Sequence, residues 1–242
     1  RYLIRDLNRA WTPTGIDTAR ESVSDQTCED REQLELLDAV EGSLVDARGP
    51  AFLLDLHTTS GPGEPFSTVM DSLRSRKFAL AIPVPLVVGL GELVEGTLLG
   101  YLANQGIPGR VFEGGQHDDP ASIVASEAGI WLALASAGVI DKDSFPEVQE
   151  SREHLMAETQ DLPRALELRY RHAIRPDDGF KLLPGLRSFQ RVGEGEVLAR
   201  DLNGEVRSPE GGRLLMPLYQ AQGEDGFFLL REFHPAWLSL SE

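Results

Sequence analysis

Residues Ala51–Phe66 read AFLLDLHTTSGPGEPF. The stretch opens on an apolar run, Ala51-Phe52-Leu53-Leu54. It turns polar at Asp55-Leu56-His57-Thr58-Thr59-Ser60 and dissolves into Gly61-Pro62-Gly63. A short apolar run ended by turn residues predicts a strand buried on both faces. In open α/β sheets ligand chemistry gathers just past the carboxyl ends of such strands. His57 stands at that place, two residues after Asp55. A neutral imidazole there can ligate a metal, with a nearby carboxylate or hydroxyl fixing its tautomer. The same position also suits a hydrogen-bonded histidine of purely structural use.

The flanking segments set this strand in an α/β frame. Glu29–Asp46 places Leu34, Leu37, Val40, Leu44 and Val45 at helical spacing, with Glu32, Glu35, Asp38 and Glu41 facing away, and Gly49-Pro50 ends the helix. Helix is expected again over Ser67–Arg76, Thr97–Gln105, Ala121–Ala137 and Phe145–Gln160. Short strands are expected over Phe78–Ile82 and Arg110–Phe112, with Pro83–Gly91 as an apolar connection. The second of these strands runs into Glu113-Gly114-Gly115-Gln116-His117, a carboxylate at a strand end followed by two glycines. That pattern fits either an open cleft or a plain turn. His154, among Glu153 and Glu158, reads as a surface residue.

Near Leu162-Pro163 the pattern changes. Leu166, Leu168, Tyr170, His172 and Ile174 alternate with Glu167, Arg169, Arg171 and Ala173, the period of a strand. Short strand-like pieces with glycine-rich turns follow, including the hairpin signal Asn203-Gly204. The reading is an α/β domain over residues 1–165, a mixed sheet flanked by helices, and a small all-β domain over residues 166–242.

Of 242 residues, 41% are hydrophobic and 26% charged, which is ordinary for a globular protein. The net charge of −16 opposes attraction to nucleic acid or to anionic membranes. The longest apolar run, Phe78–Leu90, holds Pro83 and Pro85 and is too short to span a bilayer. No signal peptide is evident, so the chain is read as cytoplasmic, acting on a small molecule, with its oligomeric state open. Cys28 is the only cysteine, which excludes disulfides within the chain and cysteine-rich zinc sites. It lies among carboxylates and reads as inert. The sequence begins at Arg1 rather than methionine, and a preceding segment of the natural protein is expected.

Three fragments, RYLIRDLNR at Arg1–Arg9, DLHTTSGPGEPF at Asp55–Phe66 and FEGGQHDDP at Phe112–Pro120, occur in an order and spacing that resembles the succinylglutamate desuccinylase/aspartoacylase family of zinc-dependent amidohydrolases. The resemblance implies a zinc-carboxypeptidase-like fold with a C-terminal β-domain. It implies His57 as a zinc ligand and Glu113 as the carboxylate that activates the zinc-bound water. Asn8 and Arg9 would hold a substrate carboxylate, and Arg1 would polarise the scissile carbonyl. Zinc brings the pKa of bound water to about 7, an arginine and zinc stabilise the oxyanion, and a planar guanidinium selects carboxylates. The sequence departs from the family in one respect. The His-x-x-Glu motif that supplies the first two zinc ligands is absent. His117 either replaces a ligand, touches substrate, or merely shapes the cleft.

The implied activity is zinc-dependent cleavage of the amide of an N-acyl amino acid or similar small carboxylate. A carboxypeptidase-like peptidase and a non-catalytic small-molecule binding module are the alternatives.

Overall fold

The computed structural model describes residues 3–21, 25–220, 222–234 and 236. In chain order its helices and strands are α1 (Pro13–Glu21), α2 (Cys28–Val45), β1 (Leu53–Thr59), β2 (Phe66–Thr68), α3 (Leu73–Leu80), β3 (Leu86–Val88), α4 (Leu90–Leu93), α5 (Leu98–Asn104), β4 (Gly109–Gln116), α6 (Ala121–Ser136), α7 (Pro146–Glu158), β5 (Ala165–Ala173), β6 (Lys181–Leu182), β7 (Arg191–Val192), β8 (Val197–Asp201), β9 (Gly204–Arg207), β10 (Gly212–Leu215) and β11 (Asp225–Glu232). Among the described residues these strands form one mixed sheet of eight, in the order β1-β4-β2-β3-β5-β11-β10-β7, and a second sheet of three, β6-β8-β9.

The α/β reading with a β-rich C-terminal part is the observed architecture. The main sheet runs across residue 165 without a break, because β3 pairs in parallel with β5 (Leu86↔Ala165) and β11 pairs antiparallel with β5. Beyond it, Val192, Leu198, Ala199, Val206, Leu214, Phe227 and Leu229 pack between the far end of the main sheet and the small sheet. The β8–β9 hairpin turns through Leu202-Asn203, one residue before the Asn203-Gly204 signal, with Gly204 at φ 120° already paired to Asp201.

Several local expectations are corrected. β1 is not buried on both faces: most of its residues are half-buried and Leu56 is 40% exposed, and among the described residues it is also the outermost strand of the sheet. The strand enclosed on both sides is β4, which lies between β1 and β2. Ser67–Arg76 is not one helix. Phe66–Thr68 is a strand, antiparallel to β4 and parallel to β3, and the helix starts only where Ser72 accepts the Ser75 N–H as its N-cap. Phe78–Ile82 is therefore not a strand. Ser75, Phe78 and Ala79 form the buried face of α3, at helical spacing. Pro83–Gly91, expected as a connection, contains β3 and the start of α4.

The core beneath the sheet is built from Phe112 of β4, Phe78 and Ile82 from α3 and its end, and Ala125, Ala128 and Leu132 of α6. Fully burying a side chain such as Phe112 contributes about 1.5–3 kcal/mol. On the opposite face of β4, Val111 and Glu113 point toward a cavity.

Candidate active site

The cavity, of about 190 Å³, opens at the carboxyl ends of β1 and β4. Four of the residues singled out in the sequence, Asn8, Arg9, His57 and Glu113, line it together, and so does His117. Arg1 lies outside the described residues.

Strand register brings two of these side by side. His57 of β1 pairs across the ladder with Glu113 of β4, and Glu113 pairs in turn with Phe66 of β2. His57 Nε2 stands 3.1 Å from Asp55 Oδ1. Asp55 and His57 share a strand face, being two residues apart. A carboxylate on Nε2 fixes the tautomer and makes Nδ1 the ring atom that carries the lone pair, the arrangement found behind metal-bound histidines. Glu113 is 6% exposed. The glycine after it matters, because a Cβ at Gly114 would stand 2.8 Å from Ser122 O and 2.5 Å from Ser126 Oγ. Only glycine lets the end of β4 lie this close to the start of α6.

Asn8 and Arg9 come from a short 3-10 turn, Leu7–Arg9, begun by Asp6, whose carboxylate accepts the Asn8 N–H. Asn8 Oδ1 accepts the N–H of Leu98 at 3.1 Å, so its NH₂ is what it can present to a ligand. The Arg9 backbone lies against Gly96, which has φ of 71°, and Trp11 N–H donates to Gly96 O at 2.9 Å. Arg9 itself is exposed at the cavity, and its guanidinium donates to Asn8 O at 2.9 Å.

α2 holds this segment in place with polar groups that periodicity alone did not single out. The apolar stripe expected on α2 is only partly inward: Leu37 is buried, but Val45 is 83% exposed. The buried face carries Glu29, Asp30 and Gln33 instead. Glu29 Oε1 accepts the N–H groups of Leu3 and Ile4. Asp30 pairs with Arg5 and also closes a capping box with Thr27. Gln33 donates to Ala10 O at 2.7 Å and accepts from Arg5 at 3.0 Å. The Cys28 thiol donates to Glu29, which pushes its own pKa up, and with the Ile4 and Leu3 N–H groups it holds the Glu29 carboxyl down to about 2.

The far wall belongs to the C-terminal part: Met216, Leu218, Gln220, Gln222, Glu224 and Phe228. It is fastened to the loop after β1. Tyr219 N–H donates to Ser60 Oγ at 3.2 Å, Met216 N–H to Ser188 Oγ at 3.0 Å, and Ser188 N–H to Pro62 O at 2.8 Å. Tyr219 and Arg231 of the C-terminal part do not line the cavity. The Tyr219 hydroxyl donates to Leu183 O and accepts from Leu186 N–H, and Arg231 pairs with Glu167.

Sequence reading also passed over Arg110. It is fully buried on the face of β4 away from the cavity, donates to Ala79 O at 3.1 Å and to Ser67 Oγ, and lies over the Phe112 ring. Burial lowers its pKa to about 9.

A zinc ion needs three protein ligands at a catalytic site. His57, oriented by Asp55, suits one of them. Among the described residues no group of three His, Cys, Asp or Glu side chains is arranged to hold a metal, so these residues do not by themselves make a complete zinc site.

No protein-family model and no curated protein matches the sequence. Solved structures do match in fold. A succinylglutamate desuccinylase/aspartoacylase from Rhodobacter sphaeroides aligns with a TM-score of 0.62 at 16% identity, covering 95% of this chain and 68% of its own. The ectoine utilization protein EutE from Ruegeria pomeroyi aligns at 0.59 and 18% identity, covering 93% and 66%. A point mutant of murine aminoacylase 3 aligns at 0.57 and 16% identity, covering 96% and 77%. The chain thus has the fold of the succinylglutamate desuccinylase/aspartoacylase structures over nearly its whole length. It spans about two thirds of the length of the first two of these proteins. Among the described residues no helix is long and apolar enough to cross a membrane.

Proposed function

We propose that this chain carries the substrate-holding and proton-transferring part of an amide hydrolase that acts on an N-acyl amino acid or a similar small carboxylate. One observation carries the reading. Residues from three distant stretches, Asn8 with Arg9, His57, and Glu113, line a single cavity at the strand ends. The Arg9 guanidinium and the Asn8 NH₂ bind the substrate carboxylate, a charge-assisted pairing that orients the amide. Glu113 takes the proton of the attacking water and later returns it to the leaving amine. The apolar part of the lining, Leu90 and Phe228 among it, limits the water around the bound amide. In this reading His57 is one zinc ligand, and the remaining ligands are not supplied by the described residues. The names of the structural relatives, desuccinylase and aminoacylase, support the same reaction class.

The natural full-length protein supplied with zinc should hydrolyse N-acyl amino acids. His57→Ala and Glu113→Gln should each abolish turnover. Activity that is indifferent to both substitutions, or no turnover across a broad acyl panel, would sink the reading. The incomplete donor set favours a second reading, a non-catalytic binding module for small carboxylates. One tightly bound zinc per full-length chain would argue against that alternative.

A further inference from the structure

We propose that His117 is a substrate-contacting residue whose Nε2 binds the acyl oxygen, at the end of the substrate that Asn8 and Arg9 do not hold. The substrate's identity as an N-acyl amino acid rests on the deacylase reading above. His117 lies just past β4, four residues after Glu113, and its ring lines the cavity. Although exposed, it is fixed twice. Its backbone N–H donates to Thr59 O at 3.0 Å, and its Nδ1 lies 2.7 Å from Thr58 Oγ1. The first bond continues the β1–β4 pairing and fixes the backbone; the second holds the ring, which a solvated surface histidine does not need and which costs rotamer entropy.

The Thr58 contact occupies Nδ1, which leaves Nε2 as the ring nitrogen on offer to a ligand. When the Thr58 hydroxyl donates, Nε2 carries the hydrogen and is a donor suited to a carbonyl or carboxylate oxygen. The neighbouring Asp119 carboxylate is engaged elsewhere, accepting the Ala121 N–H at the start of α6. The two polar anchors of the cavity stand on separate walls. Asn8 and Arg9 rest against Gly96–Leu98. His117 rests on Thr58–Thr59, whose continuation at Ser60 binds Tyr219 of the C-terminal wall. A ligand gripped by its carboxylate at the first wall meets His117 with its other end.

Side-chain length separates contact from scaffolding. Asparagine sets its amide at the level of Nδ1 and can keep the Thr58 bond, whereas glutamine sets it at the level of Nε2. The test is calorimetric binding of N-succinyl-L-glutamate and of free L-glutamate to the natural full-length protein, supplied with zinc and carrying Glu113→Gln so that it binds without turnover, and to its folded variants, with melting temperature as the check on folding. His117→Asn should weaken N-succinyl-glutamate about ten-fold or more, the worth of one hydrogen bond to a charged or polarised oxygen, and leave glutamate within about two-fold. His117→Gln should retain most of the affinity. Wild-type binding by His117→Asn, or a loss in His117→Gln that Thr58→Val reproduces, overturns the proposal and makes the histidine a strut. If Arg9→Ala abolishes binding while His117→Asn does nothing, only this inference fails. If the full-length protein with Arg9 and His117 intact binds neither ligand, or Arg9→Ala changes nothing, the deacylase reading fails with it.

Discussion

Gln33→Ala tests whether the candidate anion-binding wall depends on α2. Gln33 is fully buried, its amide NH₂ 2.7 Å from Ala10 O and its carbonyl 3.0 Å from an Arg5 nitrogen. The substitution removes both bonds. Ala10 O keeps the Thr12 N–H, which donates to it at 2.8 Å, so the loss there is that of one buried hydrogen bond, about 0.5–1.5 kcal/mol. Arg5 is more open and still has Asp30, so its loss is small. Removing one buried methylene adds about 0.8 kcal/mol. The sum, about 1.3–2.3 kcal/mol, falls on the segment that carries Asn8 and Arg9, not on the core under the sheet. Hydrogen exchange should therefore accelerate at the Trp11 amide, which donates to Gly96 O, by about ten-fold or more. Trp11 should report the change by fluorescence as well, since it packs against Tyr101, Ile16 and Leu37. Protection within β4 should change far less. Unaltered exchange at Trp11, with an unaltered melting temperature, would refute the view that α2 holds this wall.

Acidification should release the same segment. The Glu29 carboxyl sits lower in the folded chain, at about 2, than the ordinary 4.5, so between those values the unfolded chain binds more protons. The stabilisation is complete above about pH 4.5 and fades as pH falls toward 2. Proteolysis of residues 3–11 should rise over that window, and less steeply in Glu29→Gln, whose segment is already loosened at neutral pH. Gly96→Ala places a Cβ 2.3 Å from Arg9 O at a backbone φ of 71°. The left-handed conformation alone costs about 1–2 kcal/mol, so thermal melting should drop and carboxylate binding should weaken with it. Tyr219→Phe removes a hydroxyl that bonds Leu183 O and Leu186 N–H, which should destabilise the chain by about 1–2 kcal/mol while glutamate binding stays near wild type. A selective loss of ligand binding would instead place Tyr219 at the substrate.

The parts of the site legible in sequence are those announced by a change from apolar run to polar turn. His57 and Glu113 each follow such a run, and their positions at strand ends come from that pattern. β2 was hidden because a strand of three residues is too short to show alternation, and the stretch after it has helical spacing. Ser72, three residues before Ser75, was the signal that the helix starts late. Periodicity could not reveal Gln33, Glu29 or Arg110. Polar residues in a helix or strand read as solvent-facing, and their burial depends on partners far along the chain, such as Ala10, Leu3 and Ala79. The burial of β1 was overread for a related reason. An apolar run tells how much a strand resembles a core, but whether it has neighbours on both sides is a property of the sheet order.

Arg110 shows how the hidden residues bear on the visible ones. Side chains on β4 alternate, so Arg110 and Phe112 face the helices while Val111 and Glu113 face the cavity. A slip of one residue against β1 or β2 would turn Glu113 into the core and Phe112 into the cavity. Phe112 resists that slip through its place among Phe78, Ala125 and Leu132. Arg110 adds a directional lock, because its guanidinium bonds Ser67 of β2 and the Ala79 carbonyl of α3 at once, and neither bond survives a shift. The register that sets His57 opposite Glu113 is thus enforced from the far side of the sheet, by residues that never meet a ligand. A site assembled from strand ends needs little of its own packing, because the alternation of each strand converts order in the core into order in the cavity.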